Sequence, residues 1–143
     1  MRKISTKREK EIQYYRDTKK KLFLCDLKSS RLLCFFTQKK IIVPQELKEE
    51  SDDMLMKYLT CHHLNQERDN DRLYDEEMMV PVLDKYHNDY HSLSVNQLLQ
   101  TFWYNGFLER LKLKSKEIYS KELRKQLRAE IITIEEYEKR TEY

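Results

Sequence analysis

Hydrophobic and polar residues alternate along this chain in patterns that change from one segment to the next. From Lys7 to Leu24, the positions Ile12, Tyr15, Lys19, Leu22 and Phe23 recur at helical spacing among Lys, Arg and Gln, with no Gly or Pro between them, and so predict a basic helix able to lie along a duplex backbone. Leu32-Leu33-Cys34-Phe35-Phe36 and Ile41-Ile42-Val43-Pro44 are short apolar runs around a polar Thr37-Gln38-Lys39-Lys40, the pattern of a small hairpin. Glu46 to Asp53 reads as a connection or a short helix. Lys57 to Leu64 reads as a strand, ended by the polar stretch Asn65 to Asp75, an exposed loop in which nine of eleven residues are Asn, Gln, Asp, Glu or Arg. Met78 to Val82 supplies the partner strand, and a helix follows from Pro81 onward with Leu83, Tyr86, His87 and Tyr90 at helical spacing.

The C-terminal third is predicted helical. Ser94-Val95-Asn96-Gln97 is a capping box that opens a helix with Leu98, Leu99, Phe102 and Trp103 on its apolar face, and Asn105-Gly106 is expected to end or bend it. A helical pattern resumes over Phe107 to Arg128, and Thr133-Ile134-Glu135-Glu136 is a second capping box that starts a short last helix. The predicted class is α+β in a single domain over 1–143: a basic helical arm at 1–30, a hairpin and strand–loop–strand–helix core at 31–92, and a helical extension at 93–143.

Composition sharpens this outline. With 143 residues the chain can bury one modest core. Charged residues make up 37% and the mean hydropathy is −0.90, so no membrane association is expected. Met1-Arg2-Lys3-Ile4-Ser5 carries no apolar segment of the secretory kind, and Cys25, Cys34 and Cys61 form no C-x-x-C pair; both favour reduced thiols in a cytoplasm, the host's if the protein is viral. The net charge of +3 hides a strong asymmetry. Residues 1–40 hold 13 Lys/Arg against 4 Asp/Glu, 41–91 hold 5 against 13, and 92–143 hold 10 against 8. A basic arm beside an acidic centre suits phosphates on the first and a cation on the second.

The chemistry concentrates in the histidines. All four lie between positions 62 and 91, as an adjacent pair and an i, i+4 pair. His87 and His91 share a helix face and can hold one ion between them. His62, at the end of a packed strand, can supply a third imidazole, leaving open positions on a divalent ion for water and a phosphate oxygen. Neighbours on a strand face opposite ways, so His63 is free for a different task, and a neutral imidazole with a pKa near 6.5 suits a general base. A four-ligand structural zinc site with Cys61 is the competing reading. Arg68, Arg72, Lys39 and Lys40 are candidate phosphate contacts.

Cys61-His62-His63-Leu64, then Tyr74-Asp75-Glu76-Glu77-Met78-Met79-Val80-Pro81-Val82, then His87-Asn88-Asp89-Tyr90-His91 together resemble the HNH (ββα-metal, His-Me finger) endonuclease motif, in the form seen in colicin-type DNases. The Cys34 to Lys40 segment is similar to one that precedes the motif in small phage HNH and recombination endonucleases. The specific match covers residues 58 to 92, with a looser one from 31 to 44.

The resemblance implies a ββα-metal core that hydrolyses DNA phosphodiesters (RNA being the second candidate) with Mg²⁺ or Mn²⁺, or with Zn²⁺ as occupant. It implies His63 as general base and His62, His87 and His91 as metal ligands. Two positions depart from the pattern. Met78 falls where the motif has the asparagine that braces the base, with Asn65 and Asn70 the nearby loop amides, and Thr60 stands where relatives carry an acidic residue. The Met78 departure keeps open a catalytically silent nucleic-acid-binding or assembly protein, and the colicin-like form keeps open a toxin-like nuclease held by an inhibitor. Neither the DNA structure targeted nor the oligomeric state follows from the sequence.

Overall fold

The computed structural model describes residues 6–65 and 76–143. Among these it contains eight α-helices and one two-stranded antiparallel hairpin, an α+β arrangement. Contacts divide the chain into two units, the first made of residues 1–34 and 38–83, the second of 35–37 and 84–143.

In the first unit, helix α1 (Thr6–Lys28) is the predicted basic helix, extended by about a turn beyond Leu24. It packs on α3 (Asp52–Tyr58), which follows the short α2 (Gln45–Lys48). Ser51 caps α3 by accepting from the Met54 amide, and Asp52 and Asp53 sit in its first turn, where the helix dipole favours negative charge. Lys57 and Tyr58 therefore complete a helix rather than begin a strand. Strand β1 (Thr60–His63) is only four residues long and pairs with β2 (Met79–Val82), placing His62 opposite Val80 and His63 opposite Met79.

Pro81 belongs to β2, opposite Cys61, and does not start a helix. A two-stranded sheet consists of edges alone, and an edge tolerates a residue that cannot donate to the ladder. The segment around 32–43 also departs from expectation: in place of two strands there is a single bridge between Leu33 and Lys40, made by Cys34 N–H to Lys39 O and Ile41 N–H to Leu32 O (both 2.8 Å), with Gln38 N–H to Cys34 O (2.7 Å) closing the turn. Gln38 takes a left-handed φ of 62°, which turns the chain too sharply for a ladder to extend. Leu27, Leu55, Leu59, Val80 and Val82 form the core of this unit.

The second unit begins with α4 (Asp84–Ser92), followed by α5 (Val95–Leu99), α6 (Tyr104–Lys114), α7 (Lys116–Arg128) and α8 (Ile134–Arg140). The Ser94 capping box forms as expected, its hydroxyl accepting from the Gln97 amide and the Gln97 side chain accepting from Ser94 N–H, and Thr133 caps α8. Asn105 and Gly106 lie inside the first turn of α6 and neither end nor bend it. A Cβ at Gly106 would sit 3.2 Å from Nη1 of Arg110, so glycine leaves room for that guanidinium. The expected continuous helix over 107–128 is cut at Ser115, an extended residue whose side chain caps α7 through Ile118 N–H.

The core of the second unit is aromatic. Phe36 stacks near Tyr90 at 5.0 Å, Trp103 at 5.2 Å and Phe107 at 5.0 Å between ring centroids. Arg110 fixes the short 35–37 segment in place by donating to the Phe35 and Phe36 carbonyls at 2.8 and 2.6 Å. No described helix is long and apolar enough to cross a membrane.

Candidate metal centre

The first unit carries His62 and His63 on β1. Alternation along the strand separates them: His62 is buried at 4% exposure, whereas His63 is half-buried with its ring centroid 5.7 Å from that of Tyr15 on α1. Below them the hairpin is held by Leu64 N–H donating to the Met78 carbonyl at 2.9 Å. Met78 is the last residue of a single 3₁₀ turn over Glu76–Met78. Its backbone carbonyl, not its side chain, therefore makes the bond beside the strand that carries His63.

Cys61 precedes His62 and is buried. Burial pushes its thiol up to about 12, with the nearby Lys19 ammonium acting weakly in the opposite direction. Among the described residues its Sγ does not join the ligand atoms that gather around His62.

The second unit carries His87 and His91 on α4. Their Nε2 atoms are 3.1 Å apart and their rings nearly perpendicular, at 80°. Two nitrogens each 2.0–2.1 Å from one ion and 3.1 Å from one another subtend an angle of about 100° at that ion, between the octahedral and tetrahedral values. Desolvation, and then the neighbouring His91, hold His87 below the ordinary histidine range, which keeps its lone pair available at neutral pH.

The pair is held from behind. Phe36 lies parallel to His87 at 6.4 Å, and Tyr90, between the two histidines in sequence, donates to Glu122 at 2.8 Å. Glu122 is 4% exposed and accepts from Tyr104 as well, at 2.7 Å, while Lys125 Nζ lies 3.0 Å from it. Burial first, then the Glu122 charge, push both tyrosine hydroxyls far up, so they remain donors across the physiological range.

Among the described residues, His62, His87 and His91 form the group that could hold a metal ion, each offering one ring nitrogen. These are the three ligands expected from the sequence. His63 stands outside that group. Lys39 and Lys40 are exposed on the turn that follows Cys34. Arg68 and Arg72 lie outside the described residues, as do Asn70 and most of the expected polar loop, whereas Asn65 follows β1 and is half-buried.

Several residues that shape the two halves of the site went unremarked in the sequence. Glu122 and Tyr90 are separated by 32 residues, and no local pattern announces a buried carboxylate that serves two phenols. Lys19 did carry a signal. It is a charged residue at an apolar position of α1, and it is 6% exposed with Nζ donating to the Met56 and Leu59 carbonyls at 2.6 and 2.5 Å.

Comparison with protein-family models, with curated proteins and with solved structures returns no match to this chain.

Proposed function

We propose that the protein is a metal-dependent endonuclease of the HNH type, a ββα-metal enzyme that hydrolyses DNA phosphodiesters. The observation that carries this reading is the group of three imidazoles, His62, His87 and His91, able to hold an ion, with a fourth imidazole next to the first on the opposite strand face. Three neutral nitrogen ligands leave coordination positions vacant, as a catalytic rather than a closed structural site requires. Three imidazoles suit Zn²⁺ or Mn²⁺ better than the oxygen-seeking Mg²⁺, and such an ion, when bound, would stabilise negative charge on the scissile phosphate and the leaving oxygen.

His63 then takes a proton from the attacking water. Its packing against Tyr15 fixes the ring, and the Leu64–Met78 backbone bond fixes the strand beneath it. His87 and His91 are positioned by the helix spacing itself and by the anchoring of Tyr90 on Glu122. Met78 favours one other reading. With no side-chain amide to brace the base, the protein would keep the site and bind nucleic acid without cutting it.

Plasmid incubated with pure protein and Mg²⁺ or Mn²⁺ is expected to be nicked, and His63→Ala to lower the rate by about 10²–10⁴, the usual contribution of a general base. Wild type that fails to cut with every metal tried, or a variant that cuts equally well, would reject the proposal. Salt-sensitive DNA binding without any cutting would select the silent reading.

A further inference from the structure

The first unit contains a groove between α1 and α3 with a volume of about 410 Å³, the size of an ordinary ligand cleft. Ile12, Tyr15 and Met56 supply its apolar surface, and its charge comes from Arg16, Lys19, Lys20 and Lys57 against Asp17 and Asp53. Both anions are engaged within the groove: Asp17 accepts from Gln13 at 2.8 Å, and Asp53 pairs with Lys20 at 3.4 Å. Lys19 is spent on backbone carbonyls. Arg16 and Lys57 are exposed and make no ion pair among the described residues, so the cleft presents unbalanced positive charge to solvent.

The groove is not a closed pocket for one small anion. Ile12 and Tyr15 are shared with a second, more open depression along the same helix, lined also by Lys7, Arg8 and Glu11. From Lys7 to Lys20 the helix axis runs roughly 20 Å at 1.5 Å per residue. That is the axial length of about six nucleotides of one strand at 3.4 Å each. Tyr15 walls both depressions, and its ring is the one packed on His63. A long, cation-lined track with an apolar floor that ends beside a general base suits an extended polyanion.

We infer that the α1–α3 groove binds the phosphodiester backbone of duplex DNA, with Arg16 and Lys57 as phosphate contacts and Lys20 as a third that exchanges Asp53 for a phosphate, and leads the strand toward His63. This rests on the proposed nuclease function for its direction, but not for the binding itself. Arg16 would hold a phosphate bidentately and Lys57 as a point charge, and neither contact would distinguish one base from another.

The experiment measures the Kd of a fluorescein-labelled 20-base-pair duplex, and of one of its single strands, by anisotropy in EDTA at several salt concentrations. The proteins compared are wild type, R16Q/K20Q/K57Q and a control with the same charge loss on exposed α6–α8 positions, K114Q/R128Q/K139Q. Circular dichroism and melting curves establish that each variant is folded, and Lys57→Gln alone serves as the mildest substitution. The groove variant is expected to bind duplex at least tenfold more weakly. Its plot of log Kd against log salt should lose about 2–3 from its slope, since each phosphate contact contributes about 0.9. Wild-type affinity in the groove variant, an equal loss in the control, or a preference for the single strand would overturn the assignment. So would a wild type that ignores DNA and instead binds phosphatidylserine vesicles. Because EDTA removes metal, the binding result stands apart from catalysis. Lost binding by the groove variant beside an inactive wild type would retain the groove and reject the nuclease, and intact binding beside normal cutting would do the reverse.

Discussion

Single residues of the first unit carry consequences that can be measured. Lys19 places an ammonium at the C-terminal end of α3, where carbonyls lack helical partners and the dipole favours positive charge. Lys19→Met keeps the volume but orphans two buried acceptors, so urea denaturation should register a loss of about 1–3 kcal/mol. An unchanged midpoint would mean that water replaces the ammonium there at no cost. The same neighbourhood sets an alkaline limit. Burial raises Cys61 from 9.0 to about 12 and Tyr15 from 10.0 to about 12, so between those values the folded protein holds protons that the unfolded chain has released. Stability is therefore whole below about pH 9 and falls as pH rises from 9 toward 12, with Cys61 contributing at most about 1.4 kcal/mol per pH unit. Cys61→Ala should flatten that decline in metal-free protein melted across the range, and an identical slope would remove Cys61 from the account. None of this was legible beyond the one hint that a lysine occupied an apolar position of the helix.

At the level of elements, what could be read depended on whether the determinant was local. Ser94 and Thr133 announced their helices because Gln or Glu stood three residues on. Ser51 and Ser115 cap α3 and α7 equally well, but their third residues are Met54 and Ile118, and the sequence signature is then incomplete although the backbone bond is the same. The 32–43 segment forms a single bridge and no strands: Gln38 turns the chain in the left-handed region and Arg110, more than 70 residues away, holds the Phe35 and Phe36 carbonyls, and neither feature is announced by the local apolar pattern. The i, i+4 histidines needed only helical geometry, and α4 supplied it. What keeps α4 in place was hidden: Glu122 joins Tyr90 of α4 to Tyr104 of α6. Glu122→Ala leaves the Tyr90 and Tyr104 hydroxyls without their acceptor while Lys125 keeps its bond to the Tyr90 hydroxyl, and should cost about 1–3 kcal/mol per orphaned hydroxyl in chemical denaturation. Tyr90→Phe removes one bond to a charged acceptor and should cost about 1.5–3 kcal/mol. Should Tyr90→Phe cost nothing, the ring packing on Phe36, which that variant keeps, and not the carboxylate would be the anchor.

For the whole molecule, a bound ion links ligand chemistry to stability. An ion that binds the native state and not the unfolded chain stabilises by RT ln(1 + [L]/Kd), about 2.7 kcal/mol at a hundredfold excess over Kd. The melting temperature of EDTA-treated protein should therefore rise with added Zn²⁺ or Mn²⁺ and keep rising with the logarithm of concentration. The four histidines separate into testable roles on this measure. His62→Ala, His87→Ala and His91→Ala should each abolish most of the shift, whereas His63→Ala should keep it while losing any cutting. A shift that survives His62→Ala but not the α4 substitutions would describe a two-histidine site, in which the 3.1 Å pair of Nε2 atoms holds the ion without the strand. That outcome would also explain inactivity, because an ion bound only at α4 would no longer be tied to the strand that carries His63. The histidine spacing made the grouping of His62, His87 and His91 readable in the sequence, since the i, i+4 interval and the strand alternation are local. The brace beneath His63 was not readable, since at Met78 a backbone carbonyl, which every residue type carries, makes the bond.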